Sequence, residues 1–277
     1  MIDHFTYGPW TPGIAYAVSV IGSFIGLMAA TRSRAATRRF ARLQWLAVSA
    51  VCLGGTAVWS MHFIAMMGFR VSGTPIRYDT ALTLASGAVA VLVMGVALYL
   101  TIRRGTTGWL LLSGAVAGSG IVAMHYMGMA SMNLHGELHH DPVFVAAATA
   151  IALAAATAAL WFARRVAGLP AITLASLLMG VAVSSMHYTG MFGMSATVSA
   201  EHHMSAPAGA TSSDLLLPLV VGLFVLLLVC SLFLMLGVED SPRRPAEPRV
   251  AAPEEKSEKS GEYSPRHVFD PHRNRTR

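Results

Sequence analysis

The chain has 277 residues, of which 54% are hydrophobic and only 12% charged, about half the roughly 25% charged residues of an ordinary globular domain. Together with long uncharged runs, this excludes a water-soluble globular protein and points to helices that cross a membrane. A formal charge of +6 could suit a nucleic-acid binder, but the arginines lie between hydrophobic runs and form no single patch, so nucleic acid is not an expected partner.

A transmembrane helix needs about 20 mostly apolar residues. Seven stretches qualify in chain order: 10–31, 43–67, 80–102, 109–132, 143–163, 170–194 and 215–238. The first follows Met1-Ile2-Asp3-His4, has no basic n-region and shows no small-residue cleavage site. It is therefore expected to be retained as a helix and not removed as a signal peptide. The loop after it carries Arg32, Arg34, Arg38, Arg39 and Arg42; later loops carry Arg103-Arg104 and Arg164-Arg165, and the C-terminal tail carries nine more Lys/Arg. The alternate loops carry only Arg70 and Arg77, so the division is 18 basic residues against 2. The positive-inside rule then places the N-terminus outside and the C-terminus in the cytoplasm. Trp45, Trp109 and Trp161 are expected near the inner interface and Trp10 near the outer one. The segment 239–277 holds six of the thirteen prolines amid mixed charges, and is expected to be a disordered cytoplasmic tail with no folded output domain. Cys52 and Cys230 fall inside spans and read as small hydrophobes, with no disulfide assigned.

Self-similarity organises the spans. Met61-His62-Phe63-Ile64-Ala65-Met66, Met124-His125-Tyr126-Met127-Gly128-Met129 and Met186-His187-Tyr188-Thr189-Gly190-Met191 align, with a glycine seven positions before each histidine at Gly55, Gly118 and Gly180. The histidines are one two-helix hairpin apart. The expected fold is thus all-α: a polytopic membrane protein of seven helices, built as three two-helix repeats plus a seventh helix. The motifs fall on spans 2, 4 and 6, which run in the same direction, so the histidines should share one depth, roughly 10 Å from the outer interface. Apart from histidine, no ionisable side chain lies inside a span, and such groups normally face the bundle interior.

Met66, Met129 and Met191 lie four residues after their histidines, on the same helix face, as do Met132 and Met194 at seven. The first repeat has Phe69 at that last position. Met61, Met124 and Met186 precede the histidines and point about a quarter-turn away. Soft thioether beside borderline imidazole suits copper, Cu(I) above all, whereas zinc rarely uses methionine and magnesium or calcium prefer oxygen. A lone membrane histidine is usually an interhelical hydrogen-bonding group and a lone methionine usually packs. Three copies at one depth favour a metal instead, because packing alone does not require histidine in each.

At these residues the sequence resembles the MHYT family: Met186-His187-Tyr188-Thr189 reproduces its motif literally, and the other two copies are variants. The resemblance covers about residues 10–200 and implies a bacterial inner-membrane sensory domain. It further implies copper held by His62, His125 and His187 with Met66, Met129 and Met191, and Met61, Met124 and Met186 as second-tier ligands. The implied signal is oxygen, carbon monoxide or nitric oxide. Many relatives carry cytoplasmic cyclase, phosphodiesterase or kinase modules, so a chain that ends in a short tail is expected to signal through a separate partner, with membrane lipid around it.

The outside segments hold His4, His135, His139, His140, His202 and His203. His135 and His139 could chelate a metal if helical, and could gather copper ahead of the membrane site; the alternative is a solvated, histidine-rich loop. Nucleophile elbows, phosphate-cradling glycine loops and paired carboxylates are lacking, so no enzymatic activity is expected. Three competing readings remain beside the copper sensor. A copper transporter or chaperone would need a second ligand set in the inner half, where Met28, Met94, Met179, Met235 and the two cysteines show no repeated spacing. A haem protein could use His or His/Met pairs. A structural membrane protein would use both residue types only for packing.

Overall fold

A computed structural model describes residues 2–3, 6–198 and 205–236. Among them are seven helices long and apolar enough to cross a membrane: α1 (Trp10–Ala35), α2 (Arg39–Met66), α3 (Thr80–Arg104), α4 (Thr107–Ala130), α5 (Pro142–Arg165), α6 (Leu169–Phe192) and α7 (Ser212–Leu236). Their ends differ from the expected spans by a few residues at most, and polar side chains cap the starts of α3, α4 and α5. Asp79 and Asp141, at corresponding places in two repeats, accept hydrogen bonds from the Leu82 and Val143 amides at 2.9 and 2.7 Å and so start α3 and α5. Gly105, with φ of 69°, closes α3 in the left-handed conformation that favours glycine.

Helices α1 to α6 close into a ring. Each packs on its chain neighbour and α6 returns to α1, while α2, α4 and α6 also meet one another. Small residues let the backbones approach. A methyl carbon added at Gly22 would lie 2.6 Å from the Ala57 amide nitrogen, and one at Gly54 would lie 2.5 Å from the Ala90 carbonyl oxygen. Gly54→Leu should therefore lower thermal stability in detergent by about 1–3 kcal/mol. Gly222→Leu, at a site with nothing within 4 Å, should leave it nearly unchanged.

Helix α2 departs from regular α winding. Val51–Ser60 forms a π-helix, in which the carbonyl ladder widens, and the Ser60 hydroxyl donates to the carbonyl of Gly55 five residues back. The wider turn shifts the helical phase. In repeat one Gly54 makes the close backbone approach, whereas in the other two Gly118 and Gly180 press on Leu153 and on Val20 with Tyr16.

The segments on the motif side are not plain loops. β1 (Ile2–Asp3) pairs with β2 (Arg70–Val71), β3 (Arg77–Tyr78) with β4 (Met132–Asn133), and β5 (Gly136–His140) with β6 (Met194–Val198), all antiparallel. Each pair joins the segment before the first helix of a repeat to the segment after its second helix, and together they cap the end of the ring reached by α2, α4 and α6. Tyr78 also bridges Ala210 ahead of α7, and burial pushes its phenol up to about 12. At the opposite end the turns are short and basic. There Arg34 donates to the Ala163 and Val166 carbonyls at the C-terminus of α5, where a cation meets the negative end of the helix dipole.

Helix α7 stands apart from the ring and rests mainly on α1 and α2. Between α2, α3 and α7 it leaves a cleft of about 910 Å³ with apolar walls, among them Val51, Trp59, Phe63, Val91 and Leu219. Trp45 is buried, with its ring 4.7 Å from that of Phe233 and the Arg32 guanidinium stacked over it. The tail 239–277 lies outside the described residues, as do His4, His202 and His203.

Candidate metal centre

The near-threefold ring brings His62 of α2, His125 of α4 and His187 of α6 together at its axis, each at most 1% exposed. Nδ1 of His62 lies 2.9 Å from Nδ1 of His187 and 3.2 Å from Nδ1 of His125. The imidazoles meet edge to face, with centroids 4.9, 4.9 and 5.3 Å apart. Each is also edge-on to the aromatic residue that follows it, Phe63, Tyr126 or Tyr188, at 4.9–5.1 Å. Among the described residues this is the sole group of three or more His, Cys, Asp or Glu side chains close enough to hold one metal ion.

Two glycines explain how the rings come so close, and neither belongs to the set seven positions before the histidines. A methyl carbon on Gly128 would lie 2.3 Å from His62 Nε2, and one on Gly190 would lie 2.6 Å from His125 Nε2. Each glycine is three residues after the histidine of its own helix and receives the imidazole of a neighbouring one. The corresponding residue of the first repeat is Ala65. The signal was present in the sequence as the Gly at plus three in two copies, but its role depends on which helix stands opposite.

The donor set can be tested against a cation. The Nε2 atoms of His62 and His125 are buried without a hydrogen-bond partner. If Nε2 carries the proton of each neutral imidazole, Nδ1 lone pairs point at one another across about 3 Å, and a positive charge between them relieves that repulsion. Three imidazole nitrogens bound at about 2.0 Å to one ion are about 3.3–3.5 Å apart. The measured separations need to widen by a few tenths of an ångström, so the residues fit. A macrocycle does not: with centroids about 5 Å apart and the rings in edge contact, no porphyrin can stand between them.

The methionines form two layers around the histidines. Met61, Met124 and Met186 belong to the main core between the helices. Met66, Met129 and Met191 belong to a second cluster beneath the strands, with Phe69, Met132, Met194 and Tyr78. Side chains on a helix lean toward its N-terminus. The plus-four methionines therefore lean from the capped end back toward the histidine layer, while the preceding ones lean away from it.

His135 and His139 do not form the chelate that a helix would have allowed. His135 precedes β5 and His139 lies on it, so the helical spacing they would need is absent. His135 instead meets the Ser205 carbonyl, and His139 lies 3.7 Å from Glu137. His140 turns inward on the strand, with its ring 5.4 Å from Tyr126; burial and the adjacent His139 lower its pKa.

Comparison with known proteins bears on this geometry. The family model MHYT, described as a bacterial signalling protein N-terminal repeat, matches residues 55–114, 118–178 and 180–246, so that His62, His125 and His187 fall one in each segment. The bifunctional diguanylate cyclase/cyclic di-GMP phosphodiesterase MucR of Pseudomonas aeruginosa is 39% identical over 63% of this chain and 26% of its own length. The cyclic di-GMP phosphodiesterase NbdA of the same organism is 31% identical over 76% of this chain and 28% of its own length. The signaling protein YkoW of Bacillus subtilis is 28% identical over 75% of this chain and 26% of its own length. This chain thus spans about a quarter of these relatives. No solved structure matches it significantly.

Proposed function

The chain belongs to the MHYT family of bacterial signalling proteins, and from that premise we propose that it is a sensor whose three-histidine centre holds copper and responds to oxygen, carbon monoxide, nitric oxide or redox state. Its seven apolar helices and bacterial relatives make it a multi-pass plasma-membrane protein. The observation that carries the proposal is the convergence of three buried imidazole nitrogens, where no carboxylate among the described residues joins the cluster. Solvation cost rises with the square of the charge, so an apolar site of neutral ligands favours a monovalent ion over a divalent one. Imidazole with thioether nearby gives the same answer on grounds of softness.

His62, His125 and His187 would hold the ion through Nδ1. Met66, Met129 and Met191 are the proposed weaker ligands, because they lean toward the histidine layer. Met61, Met124 and Met186 wall the centre from the opposite side. Bound copper would supply one-electron chemistry and affinity for a diatomic gas. The protein's part is to exclude water, fix the rings and leave α2, α4 and α6 continuous from the centre to the basic turns. Small changes in ring spacing would then reach the far end of the bundle through packed helices. From the names of two relatives we take the output to be cyclic di-GMP turnover by a cytoplasmic module, with membrane lipid against outward side chains such as Leu92 and Leu111.

Copper-loaded, reduced protein should develop a carbon–oxygen stretching band on exposure to carbon monoxide. The band should be absent from a His62→Ala/His125→Ala/His187→Ala variant. Stoichiometric copper with no response to carbon monoxide, nitric oxide or oxygen would overturn the sensor reading and leave copper handling in its place.

A further inference from the structure

At the end of the bundle opposite the strands, the start of α2 and the end of α3 enclose a pocket of about 430 Å³. Arg39 and Arg42 of α2 and Arg103 of α3 line it, three guanidinium groups around one small space. The wall behind them is apolar and firm: Leu46 belongs to the main core, and Tyr99 and Ile102 pack against that core. Other arginines at this end are engaged elsewhere. Arg34 holds the end of α5, Arg32 stacks over Trp45, Arg104 stacks over Trp109, and Arg164 donates to the Thr106 carbonyl at 3.3 Å. Around the pocket Arg42 gives one N–H to the Ala36 carbonyl at 3.1 Å, and Arg103 donates to the Tyr99 hydroxyl while lying over its ring. A guanidinium offers five donors, so neither contact saturates its arginine. No carboxylate answers this charge among the described residues, where Asp3, Asp79, Glu137, Asp141 and Asp214 all lie at the strand end.

We infer that this pocket binds the phosphate headgroup of an anionic phospholipid, held by Arg39, Arg42 and Arg103 as a bridge between α2 and α3. Three like charges around one space repel one another, and a phosphate between them turns repulsion into attraction. Guanidinium forks match phosphate oxygens in pairs, which gives the site geometry as well as charge. The Tyr99 hydroxyl oxygen accepts from Arg103, so its own hydrogen is left to donate to a phosphate oxygen. Position decides for lipid over a soluble phosphate. The pocket stands at the ends of two membrane-length helices, the depth at which headgroups lie. Leu43, Leu46 and Ile102 carry its wall toward the apolar length of those helices, where an acyl chain continues from the headgroup. Basic pockets between transmembrane helices are established seats for anionic headgroups. Because α2 also carries His62, the bound lipid fixes the far end of that helix against α3. The site stands whether or not the histidine centre holds a metal.

The test uses the full chain in a neutral detergent, with phosphatidylglycerol and phosphatidylcholine as probes and bound lipid counted by native mass spectrometry. Wild type should take up phosphatidylglycerol in a saturable step and prefer it to phosphatidylcholine. Each cation near an anionic headgroup is worth about fivefold in affinity, so Arg39→Gln/Arg42→Gln/Arg103→Gln should weaken that step about 100-fold. The corresponding triple lysine variant keeps the charge and loses the paired fork, and should fall between the two. Arg164→Gln/Arg165→Gln removes charge at the same end outside the pocket and should leave the step nearly unchanged. Thermal melting of each variant reports its folding. The inference is overturned if wild type shows no saturable step or no preference for phosphatidylglycerol, a result that needs no variant to fold. It is likewise overturned if both glutamine variants weaken binding alike, which would make it a general property of the basic end. Displacement of the lipid by inorganic phosphate as effectively as by phosphatidylglycerol would overturn it too, by making the occupant a soluble phosphate.

Discussion

Replacing any one of His62, His125 and His187 by alanine should lower copper affinity by more than about 100-fold, since changes even outside the ligand set commonly cost 10–100-fold. Replacing all three should leave no copper at the centre. The reason lies in the convergence: each imidazole supplies one of three Nδ1 atoms at a buried point, with no carboxylate among the described residues in the cluster to substitute for it. Copper per purified protein, at equal occupancy of the folded state, checks this. Changing His135 or His139 to alanine should leave that number unchanged, because neither reaches the cluster. Equal copper in the wild type and the triple variant would move binding away from the axis and remove the histidine centre from the mechanism.

Gly128→Ala and Gly190→Ala should weaken metal binding as severely as loss of a ligand, although neither residue can coordinate anything. The added methyl would stand 2.3 Å from His62 Nε2 in one case and 2.6 Å from His125 Nε2 in the other. Ring and helix cannot both keep their places, so the imidazole must turn Nδ1 off the axis or the helices must part. The expected cost is about 1–3 kcal/mol of stability, typical of overpacking in a close-packed interior. Gly108→Ala, at a helical site with nothing within 4 Å, should be neutral or slightly stabilising. Silver or copper affinity measured beside thermal stability separates the effects: lost affinity with near-normal stability indicates ring displacement, and normal affinity in both variants would show that the imidazoles can shift freely.

Much of the fold was legible from residues. Hydrophobic runs of bilayer length gave seven helices within a few residues of their ends, because an uninterrupted apolar stretch has few alternatives in a membrane. The spacing of His62, His125 and His187 located them at one depth, since a repeated hairpin length and the fixed helical rise leave little freedom. The same periodicity puts the plus-four methionines on the histidine face of each helix, and they are buried together beneath the strands.

Helical periodicity assigns a face and a depth within one helix and is silent about what stands opposite. The meeting of three Nδ1 atoms, the seating of two imidazoles on Gly128 and Gly190, and the packing of Cys52 and Cys230 into one cluster all join residues on different helices. Ring closure between α6 and α1 and the resting place of α7 decide them. The strand pairs of the cap were equally hidden, because each strand is only two to five residues long and finds its partner at the far end of the same two-helix repeat. Even within α2, the π-helical stretch changed which glycine makes the close approach. The sequence by itself determined the spans, the repeat and the shared depth of the histidines, for these follow from local hydropathy and chain spacing. Only the tertiary structure decided which side chains touch, because that depends on interhelical packing between segments that no local pattern relates.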